Sequence, residues 1–336
     1  MKKFQKPKKS KILKKRQFSV NTILLLNDGR LAIGLSMELL IYNMKTYKTD
    51  ITLELRYAEE VKFFLQLKDN TLFYYTYDKS SEGPWSDEYF RNYLIELSDK
   101  NYVDKTKILP DNSKYNILRE HSDNILFGGI TYEKKTGSHH STNASGPKRI
   151  EKLVKNTEEQ EKTENKLDDK DNSNIKGKFS VTASLNIDFE DFVLPDNNLI
   201  AVVTFDNLIL YKSEDFTKIN STKISYGENI AIFNDNLLLI GTGKNVIIFD
   251  YKNLKTVKNI FCVYPYKIFF VNKPRVFIGE SDRVDNRITE YEIDNEGNYK
   301  QISDPLDMRK GQLNGIIVMK DGRIITSSND DVRIWS

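Results

Sequence analysis

Hydrophobic residues recur along the chain in pairs of short runs, and a compact polar turn separates the two runs of each pair. Six of the seven turns are centred on Asp-Gly or Asp-Asn, and Gly and Asn accept the positive φ that a tight turn between antiparallel strands requires. The pattern therefore predicts seven β-hairpins. They read TILLLNDGRLAIGL from 22, FFLQLKDNTLFYYT from 63, NILREHSDNILFGG from 116, DFVLPDNNLIAVVT from 191, AIFNDNLLLIGT from 231, IFFVNKPRVFIGE from 268 and GIIVMKDGRIITSS from 315.

Two further strands follow most hairpins. The third is aromatic or alternating, as in LILYK from 208, and the fourth is more polar, as in TKINSTKI from 217. Four strands in a unit of about forty residues make one propeller blade. The sequence predicts an all-β, seven-bladed β-propeller of four-stranded antiparallel blades. The predicted blades span 20–56, 59–109, 114–187, 189–224, 228–263, 266–303 and 312–336, the last together with 11–19.

The polarity of the strands changes across each unit. The first two strands are nearly continuous apolar runs, which indicates that neighbouring blades cover both of their faces. The fourth strand is more polar, as expected of a solvent-exposed outer edge.

The last unit ends after its third strand, so its outer strand has to come from elsewhere. Residues 11–19 precede the first inner strand and occupy the place of an outer strand in the repeat order. We predict that they pair with residues 331–336, which closes the ring and removes an exposed edge. Residues 1–10 are then a basic disordered tail.

One segment differs from the rest in composition. Residues 133–178 are rich in Glu, Lys, Asn, Asp, Ser and Thr, and no aromatic residue lies between Tyr132 and Phe179. Such a segment offers too little apolar surface to offset the entropy of ordering it. We predict a disordered insertion in the third blade, within which RIEKLV from 149 forms either a strand or a helical turn.

Two units carry a resemblance to a known family. Residues 321–336 resemble the WD-repeat signature, in which a strand of small residues, an acidic turn and a third strand ending in Trp-Asp follow one another; residues 28–43 are a weaker copy. The resemblance covers residues 20–336 and implies a WD40-like propeller, a family that serves mainly as protein-binding platforms. The Gly-His pair of that family is missing, which implies that its His-Ser-Asp-Trp hydrogen-bond network cannot form and that aromatic packing replaces it. The residues in the place of Trp are Tyr42, Tyr211, Phe249 and Tyr291.

Composition and charge narrow the class of protein. The chain has 336 residues, 39% of them hydrophobic, a mean hydropathy of -0.55 and a net charge of +3. No apolar run is long enough for a membrane span or a secretory signal. A single cysteine, Cys262, cannot form an intrachain disulfide, and with three histidines it cannot build a structural zinc site. We predict an intracellular protein, cytoplasmic or nuclear, without metal or cofactor.

Positive charge is concentrated at the N-terminus. Residues 1–17 hold nine basic residues and no acid, so the remainder of the chain carries -6 (3 - 9). Such an arm suits a nuclear import signal, contacts to RNA phosphates or an electrostatic tether to anionic lipid; a solvated tail is the alternative. The arm includes Lys8, Lys9, Lys11, Lys14, Lys15 and Arg16.

The candidates for catalysis are weak. Glu120-His121-Ser122-Asp123 are consecutive at a predicted hairpin turn and cannot converge on one atom, and His139-His140 lies in the insertion. Cys262 is in an apolar strand without a neighbouring base. Gly241-Thr242-Gly243-Lys244 lacks the spacing of a phosphate-binding loop and is predicted to be a hairpin turn. We predict a protein that is not an enzyme and has no small-molecule substrate.

A binding surface is predicted at one rim of the propeller. Loops that join consecutive blades gather there with loops that join second and third strands, and tyrosine is favoured at binding centres. The alternative is that these tyrosines pack between blades. We expect a non-catalytic interaction scaffold within a multi-protein complex; the alternative is an RNA-associated propeller of a ribonucleoprotein or ribosome-assembly complex. The candidate residues are Tyr57, Tyr226, Tyr264, Tyr266, Arg56, Arg283 and Arg309.

Overall fold

The structure is a computed structural model, and it describes residues 10–15, 19–55, 59–66, 71–78, 89–96, 115–122, 125–130, 148–155, 179–262, 265–281, 286–307 and 313–335. Within these ranges the regular elements are β-strands. In chain order they are β1 (Ser10–Lys15), β2 (Val20–Leu25), β3 (Leu31–Leu35), β4 (Glu38–Asn43), β5 (Lys48–Glu54), β6 (Glu59–Gln66), β7 (Thr71–Asp78), β8 (Tyr89–Glu96), β9 (Tyr115–Ser122), β10 (Ile125–Ile130), β11 (Arg149–Lys155), β12 (Phe179–Asn186), β13 (Asp191–Asp196), β14 (Leu199–Val203), β15 (Asn207–Lys212), β16 (Lys218–Lys223), β17 (Gly227–Ile232), β18 (Leu237–Thr242), β19 (Asn245–Asp250), β20 (Lys255–Phe261), β21 (Pro265–Asn272), β22 (Arg275–Ser281), β23 (Asn286–Ile293), β24 (Tyr299–Gln301), β25 (Leu306–Asp307), β26 (Leu313–Val318), β27 (Ile324–Ser328) and β28 (Asp331–Trp335).

The chain divides into two compact units. Unit 1 comprises Met1–Ile23 with Phe189–Ser336, and unit 2 comprises Leu24–Asp188. The sheets built from β2 to β12 have the strand orders β2-β3-β4-β5, β6-β7-β8 and β12-β11-β10-β9. In unit 1 they are β13-β14-β15-β16, β17-β18-β19-β20, β21-β22-β23-β24 with β25 also on β23, and β1-β28-β27-β26. Six of the seven predicted hairpins are present as antiparallel strand pairs within these sheets, and the two strands of the first, β2 and β3, are hydrogen-bonded neighbours.

Burial changes across each sheet. The second strands β3, β18 and β27 are buried along their whole length, whereas the fourth strands β5 and β16 are largely exposed, as the sequence predicts. The first strands β2, β13 and β17 are only partly buried, which differs from the prediction of two fully covered strands. A first strand is an edge of its sheet with one hydrogen-bonded neighbour, so fewer atoms cover it.

Apolar side chains fill the space between consecutive sheets. One buried cluster in unit 1 joins Val203 and Leu208 of one sheet to Leu238 and Phe249 of the next, and similar clusters lie between the following sheets. A fourth cluster in unit 2 joins Ala32 to Val61 and its neighbours. The sheets joined by these clusters therefore bury apolar side chains against the sheets beside them, which is the packing expected of sheets that cannot stand alone.

Two of the predicted turns share one geometry. Gly29 and Gly322 have φ of 84° and 90°. In each turn the side chain of the Asp before the Gly accepts hydrogen bonds from the backbone nitrogen and the Nε of the Arg after it. These distances are 2.9 and 2.7 Å in the first turn and 3.1 and 2.8 Å in the second. The Asp-Gly-Arg sequence thus fixes both turns locally, because Gly supplies the positive φ and Asp caps the free backbone nitrogen.

The N-terminal segment supplies the outer strand of the last sheet. β1 pairs antiparallel with β28, and the register runs from Ser10 opposite Trp335 to Lys15 opposite Asp331. The strand lies at 10–15 within a predicted range of 11–19, and residues 16–18 lie outside the described residues. The N-terminus also contacts this sheet a second time, since the Val20 nitrogen donates to the Asn329 carbonyl at 3.2 Å.

The prediction of disorder across 133–178 is wrong for residues 149–155. They form β11, which pairs with β10 on one side and β12 on the other. Ile150 and Leu153 are fully buried, so this stretch does contribute apolar surface to the core, and the alternative of a strand is the correct one. The tail at 1–9, the other parts of the insertion (133–147 and 156–178) and the predicted fourth strand of the second blade lie outside the described residues.

The last sheet retains part of the hydrogen-bond network that the sequence led us to exclude. The Nε1 of Trp335 donates to the Oγ1 of Thr326 at 2.9 Å in a buried position. The contact forms without the missing histidine because a hydroxyl on the neighbouring strand meets the indole nitrogen directly. The prediction that aromatic packing alone replaces the network is therefore wrong for this sheet.

Candidate functional site

The two kinds of loop that the sequence assigns to a rim lie together in unit 1. In an antiparallel sheet the turn between the second and third strands lies at the same end as the segment that enters the first strand. Residues 204–206 and 224–226 are such segments of neighbouring sheets. They meet through a hydrogen bond from the Gly227 nitrogen to the Phe205 carbonyl at 2.9 Å. Gly227 permits this approach, since a Cβ there would stand 2.5 Å from the Thr204 carbonyl oxygen.

Phe205 and Tyr226 form an exposed aromatic pair at this contact. Each side chain is 52% exposed, and the ring centroids lie 4.9 Å apart in an edge-to-face arrangement with an interplanar angle of 81°. Tyr226 has a φ of 57°. The sequence-based alternative was that the tyrosine packs between blades, but here its ring rests on another exposed ring.

The exposed aromatic surface continues toward the next sheet. The Gly243 nitrogen donates to the Tyr226 carbonyl at 3.1 Å, which places the turn holding Lys244 beside Tyr226. Lys244 and Phe261 line the same cavity, and Phe261 is 79% exposed. We call Phe205, Tyr226 and Phe261 the aromatic rim. Large apolar side chains that are exposed together are a feature of interaction sites.

A cavity of about 440 Å³ opens beside Phe261, and we call it the Glu280 cavity. Glu280 is 3% exposed and accepts bonds from the Nε and Nη2 of Arg287 at 3.1 and 2.8 Å and from the Thr289 Oγ1 at 2.5 Å. The buried carboxylate is thus paired with a cation and hydrogen bonded, as a charge in the interior requires. The lining residues are Lys244, Phe261, Cys262, Glu280, Arg287, Thr289, Tyr291, Gln301 and Pro305.

Two further ionisable groups of the cavity stay neutral near pH 7. Burial, and after it the negative charge of Glu280, raises the pKa of Cys262 to about 12. The same two causes raise the pKa of the Tyr291 hydroxyl. The cavity therefore has a neutral wall next to its ion pair.

The protonation of Cys262 gives a testable prediction. We expect iodoacetamide at pH 8 to alkylate Cys262 at least about a hundredfold more slowly in the native chain than in urea, because the thiolate is the nucleophile and the folded state holds the proton. The measurement is the alkylation rate by mass spectrometry. A Cys262→Ser/Lys252→Cys variant, whose thiol lies in an exposed turn, serves as the fast control. A native rate close to the rate in urea would contradict the assignment.

The structure locates only some of the residues that the sequence singles out. Tyr226 is exposed at the rim, and Tyr266 lies in β21, where its side chain is not described. Lys11, Lys14 and Lys15 lie in β1. The remaining candidates lie outside the described residues: Tyr57, Tyr264, Arg56, Arg283, Arg309, Lys8, Lys9 and Arg16.

The catalytic candidates do not gain support within the described residues. Glu120, His121 and Ser122 belong to strand β9 rather than to a turn, which corrects the prediction for these three, and Asp123 is not described. Gly243 and Lys244 form the hairpin turn between β18 and β19, as predicted. No group of three or more His, Cys, Asp or Glu side chains suited to a metal ion occurs in the described part of the chain. A search of the same residues for a helix long and apolar enough to cross a membrane finds none.

Sequence reasoning missed Phe205, Phe261 and the Glu280–Arg287 pair. Phe205 does leave a signal, because it occupies the centre of a turn between Thr204 and Asp206, where a polar residue is usual. Phe261 and the ion pair leave none, since their roles arise only from the packing of two sheets.

Comparison with solved structures identifies the fold. A chain of the "Mitotic Checkpoint Complex" superposes with a TM-score of 0.68 and 9% identity, over 99% of this chain and 92% of that chain. The Cps50 (Swd1) β-propeller domain of Myceliophteria thermophila has a TM-score of 0.62 and 11% identity, and the match covers 98% of this chain and 99% of that domain. The WD40 β-propeller domain of Doa1 has a TM-score of 0.55 and 10% identity, and the match covers 97% of this chain and 95% of that domain. The fold is therefore a WD40-like β-propeller.

The fold alone does not define an activity. A streptogramin B lyase is also similar, with a TM-score of 0.58, 11% identity and coverage of 98% and 97%. No protein-family model matches the chain, and no curated protein matches its sequence. At 9–11% identity these similarities show the fold and do not assign a role to the chain.

Proposed function

We propose that the protein is a non-catalytic interaction scaffold of the WD-repeat type whose seven sheets form a closed ring of seven blades. Contacts of the last sheet support closure. Besides the pairing of β1 with β28, the Asn314 Nδ2 donates to the Val20 carbonyl at 2.6 Å and to the Asn329 Oδ1 at 2.7 Å. These contacts tie Val20, where the first blade begins, to the last sheet, which supports closure of the ring.

The observation that carries the proposal is the aromatic rim. Exposed aromatic rings cost free energy in water and gain it on contact with a partner, and Tyr and Phe are enriched at the centres of interfaces. Phe205 and Tyr226 support each other edge to face, so they present a preorganised surface that loses little side-chain entropy on binding.

The patch inferred from the sequence is part of this proposal. Tyr226 is the member whose side chain is described, Tyr266 lies in β21, and the repeat order gives Arg56 and Tyr57 a loop of the same type. We propose that the tyrosines and arginines predicted from the sequence complete the interface around the aromatic rim. An intracellular compartment, cytoplasmic or nuclear, and membership of a multi-protein complex fit this role.

A capture experiment tests the proposed function. Tagged full-length chain, its Phe205→Ala/Tyr226→Ala variant and an Ile219→Ala variant are purified from cells, and co-purifying proteins are quantified. We expect at least one protein present in stoichiometric amount to fall about tenfold or more with the rim variant, because truncating an interface anchor costs about 2 kcal/mol or more. Ile219 is 47% exposed on the outer strand β16 and is the matched control. Retention of every co-purifying protein by the rim variant would contradict the proposal.

The second candidate is an RNA-associated propeller. The nine basic residues of 1–17, with no acid among them, favour contacts to phosphates, and β1 attaches this segment to the last sheet. Salt separates the two candidates: phosphate contacts release counterions, so the affinity for RNA falls steeply with added salt, whereas docking of a protein through the aromatic rim changes little. The measurement is the dissociation constant at several salt concentrations.

A further inference from the structure

We propose that the Glu280 cavity binds an acidic peptide segment of a partner protein, which inserts an apolar side chain beside Phe261 and places a carboxylate near Lys244. The inference rests on the proposed scaffold function and specifies its ligand. It concerns a site between two neighbouring sheets of unit 1, beside the aromatic rim.

Continuity with the aromatic rim points to an extended ligand. Phe205 contacts Tyr226, Tyr226 bonds to Gly243, and Lys244 borders the cavity together with Phe261. A peptide that lies across Tyr226 therefore reaches the cavity without leaving the surface. A compact small molecule would use the cavity and leave these exposed rings uncovered.

The walls of the cavity favour an apolar side chain. The exposed Phe261 is part of the lining, and the Cys262 thiol and the Tyr291 ring provide neutral surface. A volume of about 440 Å³ is in the range of sites that enclose a ligand group. Burying an apolar side chain there removes both its own surface and part of the Phe261 ring from water.

The charges favour an acidic neighbour for that side chain. The lining contains two basic residues, Lys244 and Arg287, and one acidic residue, Glu280, so its formal charge is +1 (2 - 1). Glu280 is 3% exposed and already bonded, whereas Lys244 is exposed and the Arg287 side chain is 39% exposed. An approaching ligand thus meets the two cations rather than the carboxylate.

A carboxylate outside the cavity limits where the acidic residue of the peptide can lie. The Oε1 of Glu228 is 3.9 Å from the position that a Cβ on Gly243 would take, and burial, and after it the charge of Glu190, raises the pKa of Glu228. A peptide carboxylate over Tyr226 or Gly243 would be repelled there. The acidic residue of the peptide is therefore placed at the cavity, whose lining includes Lys244 and Arg287 but not Glu228. The same acidic groups disfavour an RNA strand, whose phosphates repeat along its whole length.

Selection from a peptide library tests the inference. Full-length chain is immobilised and a displayed library of random dodecapeptides is selected against it. Individual peptides are then measured on a Lys244→Glu/Phe261→Ser variant and on a Lys252→Glu/Ile219→Ser control, whose substituted positions are exposed elsewhere on unit 1. We expect enrichment of Asp or Glu next to a large apolar residue, with affinity reduced about tenfold or more by the first variant and unchanged in the control.

Several results would overturn the inference. The first is that no recovered peptide loses affinity when Lys244 and Phe261 are substituted. The second is that the selection enriches basic peptides. The third is that a ten-nucleotide oligouridine binds more tightly than the peptides and displaces them. If peptide selection fails while partner capture still depends on Phe205 and Tyr226, only this inference is wrong. If the rim variant keeps all its partners, the proposed function itself is wrong.

Discussion

Removal of residues 1–15 is expected to lower the free energy of unfolding by roughly 3–5 kcal/mol, taking about 1 kcal/mol for each backbone hydrogen bond. The loss comes from β1, which pairs with β28 at five positions, and it leaves β28 as an unpaired edge that promotes aggregation. The measurement is urea-induced unfolding together with the melting temperature.

Two controls separate the strand from the charge of the arm. Removal of residues 1–9 alone takes away five of the nine basic residues but keeps β1, so the stability should stay close to that of the full chain. The Ile12 side chain is exposed, so both Ile12→Pro and Ile12→Thr change few packing contacts. Ile12→Pro removes a backbone hydrogen-bond donor from β1 and should lower the stability, whereas Ile12→Thr keeps that donor. A chain without residues 1–15 that melts at the temperature of the full chain would disprove both the role of β1 and the proposed closure.

Arg287→Ala is expected to destabilise the protein by about 3 kcal/mol, because it leaves the carboxylate of Glu280 buried without its cation. The matched control lies in the same sheet: Lys300 pairs with Glu292 at 3.2 Å, but its side chain is 72% exposed. Lys300→Ala should cost less than about 1 kcal/mol, as is typical of a surface ion pair. The free energies are obtained from urea unfolding.

A second substitution makes the Arg287 result specific. Glu280→Gln added to Arg287→Ala should recover more than half of the lost stability, since a neutral amide costs less to bury and still accepts the bond from the Thr289 hydroxyl. Equal costs for Arg287→Ala and Lys300→Ala would show that the Glu280 pair is not held in the interior as described.

Much of the fold can be predicted because its information is local. An Asp-Gly-Arg turn carries its own hydrogen bonds at Asp28 and Asp321, and the run of apolar residues in β18 indicates a strand with both faces covered. The pairing of residues 10–15 with the last strand was also predictable, because a repeat order with one strand missing leaves a single place for it.

The errors in the prediction have a common cause. The polar surroundings of Arg149–Lys155 predict disorder, with a strand or a helical turn as alternatives, yet the segment pairs with β10 and β12 and buries Ile150 and Leu153. Similarly, the missing histidine predicts that the hydrogen-bond network of the family is absent, but the Trp335 indole nitrogen still donates to the hydroxyl of Thr326. Composition and motif spacing do not report which side chains meet across strands.

The candidate site was less accessible to sequence analysis than the fold. Tyr226 could be chosen from the repeat order, whereas its partner Phe205 and the exposure of Phe261 became apparent only in three dimensions. The sequence by itself determined most of the strands and turns and their order, because period, polarity and turn chemistry act over a few residues. The tertiary structure alone decided the Glu280–Arg287 pair, the cavity around it and the aromatic rim, because these arise where neighbouring sheets bring distant residues into contact.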